Sequence, residues 1–387
     1  MSIVTSRVLL GLESREKRQI ALDKLFGVTY ENKLVHEGQM SHWVRGAELD
    51  RSVPSFKGIR EAYIHVAGDT ELTFQPRYLH ASEDIASQDF PNLLGNTLGR
   101  LLQRGYQEMD FGLNLLVPQQ NRVAVPDFRT QERVRVGYFD DLDDIDPESS
   151  EYQEIAKPTD EKASAAIVQK GNLLPITRRT IIDDDIGGIT QLVAKLGRTT
   201  RRTMAQAVFD LMIANAPTSY DSITWAHSSS HGANLRTAAL DSDELEAIAA
   251  AMFMQTEKDS AKAIGIEPSI LAVPRGLKAA AMQANQYRPV EASPNPNFHR
   301  YGENNERIIV SPLLTDPTDF YNFADQNEVP CIELGFLQGR QDPEFFLANA
   351  PTEGRAFSQD IITYKVRHEY YPLVIDHRGY AKNVVAD

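Results

Sequence analysis

The stretch from Thr180 to Asn215 constrains this chain most. Ile186, Ile189, Val193, Leu196, Thr200, Met204, Val208 and Leu211 recur every three or four residues, the spacing that draws one apolar stripe along an α-helix. The pattern predicts a helix from Asp184 to Ala214, about 45 Å long at 1.5 Å rise per residue. That length suits a strut from which the rest of the chain hangs. Asp183, Asp184 and Asp185 stand at its start, where carboxylates accept orphan N–H bonds and sit favourably in the helix dipole. Arg198, Arg201 and Arg202 fall on the face away from the stripe.

What precedes the strut reads as two extended limbs around a polar tip. Arg133 to Phe139 alternates with period two, and Ala165 to Thr177 returns. Between them Asp140, Asp141, Asp143, Asp144, Asp146, Glu148, Glu151 and Glu154 place eight carboxylates in fifteen residues. A hairpin with so acidic a tip cannot fold back onto its own core, so it should project. Upstream, residues 88–107 read as a helix with Leu93, Leu94, Leu98, Leu101 and Leu102 on one face. Residues 1–80 offer short amphipathic pieces, at Glu13 to Gly27 and from Arg60 to a turn at Gly68-Asp69, and no core of their own. They read as an arm that needs partners.

Downstream, Asp241 to Phe253 is a helix with Asp241 and Glu244 at capping-box spacing. Ser269–Val273, Arg307–Leu314 and Cys331–Leu337 are strands, with a helix from Pro274 to Ala281. The long alternating run from Ile361 to Asp376 closes the chain. The sum is an α+β protein. At 387 residues, two or three sub-domains are expected.

A net charge of −14 argues against a surface that coats nucleic acid, because phosphate binding needs clustered Lys and Arg. It leaves open a protein that encloses nucleic acid without gripping it. Cys331 is the single cysteine, which excludes an intrachain disulfide and a thiol–metal cluster and points to synthesis in a reducing cytoplasm. The apolar run Val8 to Leu12 is too short for a signal peptide, and no run approaches the ~20 residues of a membrane span.

Catalytic candidates are few. His227 and His231 stand four apart, a spacing that holds zinc on a helix. Ser and Gly crowd the segment, no third ligand accompanies it, and a hydrogen-bonded loop is the simpler reading. The acidic tip lacks the twelve-residue calcium-loop pattern. There is no nucleophile elbow, phosphate loop or dinucleotide fingerprint. Cys331 falls in a strand pattern and reads as a buried, inert thiol. The expectation is therefore no catalytic residue, no cofactor and no metal. A metal-dependent hydrolase using His227 and His231 stands as the distant enzymatic alternative.

The order arm, helix, projecting hairpin, strut, α/β lobe and return strands resembles the major capsid protein of tailed bacteriophages, the Hong Kong 97 fold, in its Mu-like prophage form. Four segments carry the likeness: Gln88 to Asn96, Gly171 to Gly188, Ser269 to Leu277, and Phe357 to Glu369 with Asp376 to Gly379. The resemblance implies an N-terminal arm over 1–85, an arm helix region over 86–132, and an extended loop over 133–178. It further implies a spine helix over 179–217, an axial domain over 218–337 and peripheral return strands over 338–387. It implies a homo-oligomer of capsomers closing into an icosahedral shell around DNA, bound without sequence specificity. Scaffolding, portal and decoration proteins would be its partners, with no membrane, assembly in the host bacterial cytoplasm and residence in the virion. A host-encoded nanocompartment shell shares the fold and is the nearest alternative. On this reading the acidic tip, with Asp141, Asp143, Asp144, Glu148 and Glu151, meets a basic patch on the next subunit, with Arg198, Arg201 and Arg202 as its candidates.

Overall fold

A computed structural model describes residues 14–28, 33–37, 40–44, 53–67, 89–136, 160–183, 186–215, 221–256, 258, 262–286, 299–348, 358–359 and 361–385. In chain order the labelled helices are α1 (Ser14–Leu25), α2 (Ile59–Ala67), α3 (Asp89–Gln107), α4 (Leu113–Leu116), α5 (Arg178–Ile182), α6 (Ile186–Ile213), α7 (Ser242–Phe253) and α8 (Lys278–Ala284). The strands are β1 (Lys33–Glu37), β2 (Met40–Val44), β3 (Arg122–Val125), β4 (Gln131–Val136), β5 (Asp160–Ala165), β6 (Val168–Thr177) and β7 (Leu235–Arg236). They continue with β8 (Pro268–Val273), β9 (Ile308–Val310), β10 (Phe320–Ala324), β11 (Ile332–Leu337), β12 (Glu344–Ala348), β13 (Ile361–Val374) and β14 (Tyr380–Asn383). The chain divides into two compact units. The first comprises Met1–Met109, Gln169–Arg201 and Asp342–His368; the second comprises Asp110–Val168, Arg202–Gln341 and Glu369–Asp387. Among the described residues no helix is long and apolar enough to cross a membrane.

The first unit is built on α3. Its leucine stripe is buried, with Phe90, Leu94 and Leu98 at 0 % exposure. The segment that has no core of its own in the sequence supplies α1 and α2, and these bury Leu22, Phe26, Ile59, Tyr63 and Val66 against α3. A buried polar centre fixes that contact. Asp23 accepts from Arg100, from the Thr97 hydroxyl and from Gln19 Nε2, the last at 3.0 Å. Tyr364 and Val366 of β13 join the same core with Ile189 and Val193 of α6. This is the contact expected between the strut's stripe and the closing strands.

The strut itself is α6, and within the first unit it touches α3 backbone to backbone. A Cβ on Gly197 would lie 2.2 Å from the Leu102 carbonyl oxygen, and one on Gly105 would lie 2.4 Å from the Ala194 carbonyl oxygen. The predicted stripe holds at Ile189, Val193, Met204 and Val208, all buried. It departs from expectation at one cation. Arg201 does not lie on the outer face: it is 7 % exposed and its guanidinium sits 5.3 Å from the centre of the Tyr106 ring. Tyr106 is itself edge-on to His368. Aromatic faces stabilise a desolvated guanidinium, so an arginine at the margin of the stripe turns inward. At the helix start, Asp183 closes the short α5 instead, paired with Arg179 at 3.2 Å. Asp184 and Asp185 lie outside the described residues.

The second unit centres on a sheet in the order β7-β14-β10-β8-β9. The predicted helix 241–253 appears as α7, and the Asp241 side chain accepts from the Glu244 N–H at 2.7 Å. Leu245, Ile248 and Met252 of α7 pack with Leu271 and Val273 of β8 and with Ala281 of α8. Trp225 stacks on Tyr380 at 3.7 Å and donates to the Asp376 carbonyl at 3.0 Å. Lys382 Nζ donates to the Met212 and Ile213 carbonyls at 3.3 and 3.0 Å, which caps the C-terminal end of α6.

The hairpin limbs pair differently from the sequence expectation. β4 pairs antiparallel with β5, from Gln131↔Ala165 to Val136↔Asp160. The longer return strand β6 pairs with β13 instead. Gly171 permits this, because a Cβ there would lie 2.4 Å from the Val366 carbonyl oxygen. The acidic tip, including Asp141, Asp143, Asp144, Glu148 and Glu151, lies outside the described residues.

Candidate assembly surface

The β4–β5 ribbon inverts the usual sheet pattern. On a two-stranded ribbon alternate residues share a face, and the register puts Arg133 opposite Ala163 and Arg135 opposite Glu161. This charged face is the inner one. Arg133 Nε reaches both carboxylate oxygens of Glu333, at 2.8 and 2.9 Å, and Tyr371 donates to the same carboxylate at 2.8 Å. Arg135 pairs with Asp376. Glu161 is gripped by both terminal nitrogens of Arg378, at 3.0 and 2.9 Å. Arg378 also donates to Asp376 at 3.1 Å and to the Thr256 carbonyl at 2.9 Å. Glu161, Glu333, Asp376 and Arg378 are all buried. Ala163 fills the remaining space among Val125, Leu337, Tyr371 and Leu373.

The network is internally consistent. Burial lowers the Arg133 pKa, but the hydrogen bond and charge of Glu333 outweigh it and the net direction is up. Burial, then the bond to Glu333, raises the Tyr371 hydroxyl, which stays protonated as a donor. Buried ion pairs rarely add much net stability, but a slipped ribbon would leave these charges buried without their partners, which is costly. Their service here is to hold the ribbon in register against Glu333 of β11, Tyr371 of β13 and the Asp376–Arg378 segment. The outer face then shows Val134, 58 % exposed, beside an exposed Glu132–Lys162 pair.

Of the three arginines of the predicted basic patch, Arg201 turns inward, while Arg198 and Arg202 stand four apart on α6. Arg198 is held by Glu108 at 2.9 and 2.8 Å, and its side chain is 43 % exposed. Arg201 is buried and Arg202 is exposed. Sequence reading missed the ribbon's inner network entirely. The one local signal was the alternation of Arg133 and Arg135, which looks like an ordinary solvent face.

The two loop histidines are occupied by the protein itself. His227 Nδ1 accepts from the Ser230 N–H at 2.9 Å. His231 Nε2 bonds Asp221 at 2.8 Å and its Nδ1 bonds the Trp225 carbonyl at 3.1 Å. This is the hydrogen-bonded loop that the sequence favoured. Burial pushes the Cys331 thiol up to about 12, in keeping with an inert group.

His231 stacks on His377 with ring centres 3.8 Å apart. Burial, then the neighbouring His231, lowers the His377 pKa from 6.5 to about 2. The folded His377 is therefore neutral, whereas the unfolded chain takes up a proton below about pH 6.5. Its contribution is present above that pH and is lost as pH falls, at up to about 1.4 kcal/mol per pH unit. Urea midpoints at pH 7.5 and 5 should therefore diverge in the wild type. His377→Gln should reduce that divergence by roughly 2 kcal/mol; an unchanged pH slope would refute the assignment.

A family model described as "Phage capsid protein" matches residues 160–383. That span is more than half of the chain and takes in β5, β6, α6, the second unit's sheet and β13. The chain belongs to the phage capsid protein family. Curated protein sequences give no match. Among solved structures, the chain is similar to the capsid of a native GTA particle, with 11% identity and a TM-score of 0.47, covering 83% of this chain and 98% of that one. A virus-like particle from Pyrococcus furiosus has 11% identity and a TM-score of 0.43, covering 74% and 98%. Mycobacterium phage Bobi has 15% identity and a TM-score of 0.44, covering 69% and 89%. For a capsid-family chain, the functional site is the surface that other subunits meet.

Proposed function

We propose that this chain is the major, shell-forming subunit of a tailed phage, with the Hong Kong 97-type arrangement. It self-assembles into hexamers and pentamers that close into an icosahedral head around double-stranded DNA. The observation that carries the reading is the family match over 160–383. Residues 133–178 act as the extended loop, 179–217 as the spine, 218–337 as the axial domain and 338–387 as the peripheral return. Residues 1–85 form the arm and 86–132 its helix. Head-to-tail contacts between unlike patches close into rings when the rotation closes. Apolar burial, at about 25 cal/mol per Å², supplies the cohesion. Exposed charge pairs, worth ~0–1 kcal/mol each, set register between the acidic tip and neighbouring cations such as Arg198 and Arg202. A chain of net charge −14 gives a wall that does not grip its DNA. Its role is structural, with no catalysis, and its place is the virion. Sedimentation of the purified chain tests this: species far heavier than the 43.3 kDa subunit are expected.

A further inference from the structure

Two asparagines stand on neighbouring strands in the core of the second unit. Asn322 of β10 and Asn383 of β14 are both 0 % exposed. The register sets Asn322 opposite Ala381 and Asn383 opposite Phe320. Alternate residues of a strand share a face, so the two asparagines are diagonal neighbours on one side of the sheet. Phe320 and Ala381 belong there to one core with Leu245 and Ile248 of α7. Asn383 Nδ2 donates to the Glu244 carboxylate at 2.9 Å and to the Ala238 carbonyl at 3.2 Å. Two acceptors on that nitrogen settle which way the Asn383 amide points. Asn322 Oδ1 accepts from the Tyr301 hydroxyl at 2.8 Å. Burial pushes the Tyr301 pKa up, so the hydroxyl keeps its proton and needs that acceptor. Both amides are thereby oriented. What is left over is one donor, Asn322 Nδ2, and one acceptor, Asn383 Oδ1, each buried without a protein partner among the described residues.

A buried polar atom with no bond is costly, and here the two are complementary and on diagonal residues. A water joining two such atoms spans about 5.6 Å, as two bonds of roughly 2.8 Å, and it both accepts and donates. Ala381 adjoins both asparagines, opposite one and two residues before the other, and its single methyl leaves room beside them. We propose that one internal water is bound in this core, accepting from Asn322 Nδ2 and donating to Asn383 Oδ1. It completes a hydrogen-bonded chain from Tyr301 through Asn322 and Asn383 to Glu244 and on to Arg236, the last bond at 3.2 Å. That chain ties β7, β10, β14, α7 and the segment before β9 together through side chains. The water is a structural ligand of the fold, and the inference stands whether or not the chain closes into shells.

Two measurements on the full chain test it. A structure at a resolution that shows ordered water should carry one isolated peak at about 2.6–3.2 Å from both Asn322 Nδ2 and Asn383 Oδ1. A direct bond between the two amides, or no peak between them, would overturn the site. Independently, Ala381→Ser places a hydroxyl where the water sits, able to accept from one amide and donate to the other. Its folding equilibrium constant should stay within about threefold of the wild type, since a direct bond and a water-mediated one are nearly equivalent. Oxygen-17 relaxation dispersion should then count one long-lived water fewer. Ala381→Val fills the same space without a polar atom and should lower the folding constant by roughly tenfold or more. A serine variant as damaged as the valine variant, or one with the wild-type count of long-lived waters, would contradict the proposal.

Discussion

Replacing Arg378 with Met should cost about 3–5 kcal/mol, the usual penalty for leaving a buried charge without its partner. The stranded group is Glu161, which Arg378 grips through two nitrogens and which is 8 % exposed. Asp376 suffers less, because Arg135 remains beside it. The Thr256 carbonyl also loses a donor, so the ribbon and the loop after α7 loosen together. Removing both charges, as Arg378→Met with Glu161→Met, should recover most of the loss, since apolar replacements of a whole buried pair are often neutral. Urea unfolding of the full chain separates the cases. A single variant within about 0.5 kcal/mol of wild type would show that the network does not hold the ribbon.

Gly197→Ala should destabilise the first unit, although alanine ordinarily improves a helix by about 0.5–1 kcal/mol. The sign reverses because the new Cβ meets the Leu102 carbonyl oxygen at 2.2 Å and the Tyr106 amide nitrogen at 2.9 Å. Backbone atoms cannot swing aside as a side chain can. The helices must separate, and overpacking of this kind costs about 1–3 kcal/mol, occasionally more. Gly187 is the internal control, since it lies in the first turn of the same helix and a Cβ added there would meet nothing within 4 Å. Gly187→Ala should stabilise by roughly 0.5–1 kcal/mol. Opposite signs for the two substitutions are the expected result; equal signs would contradict the close helix crossing.

Local pattern made much of this fold legible. The 3.6-residue repeat gave α3, α6 and α7 to within a few residues, and the Asp241 cap behaves as its spacing predicts. What stayed hidden depends on partners distant in sequence. The Arg378–Glu161 pair spans 217 residues and the Arg133–Glu333 pair spans 200. No alternation within one strand reveals that its arginines face inward. Arg201 escaped for the same reason: its place over Tyr106 is decided by α3, not by α6. The pairing of β6 with β13 turns on a glycine whose purpose appears only when Val366 is beside it. An assembly surface is harder still to read, because its complement is another molecule.

Electron microscopy of the expressed full chain tests the central claim most directly. Closed, hollow particles built of many copies are the predicted result. A single subunit-sized species at every concentration and salt would contradict it.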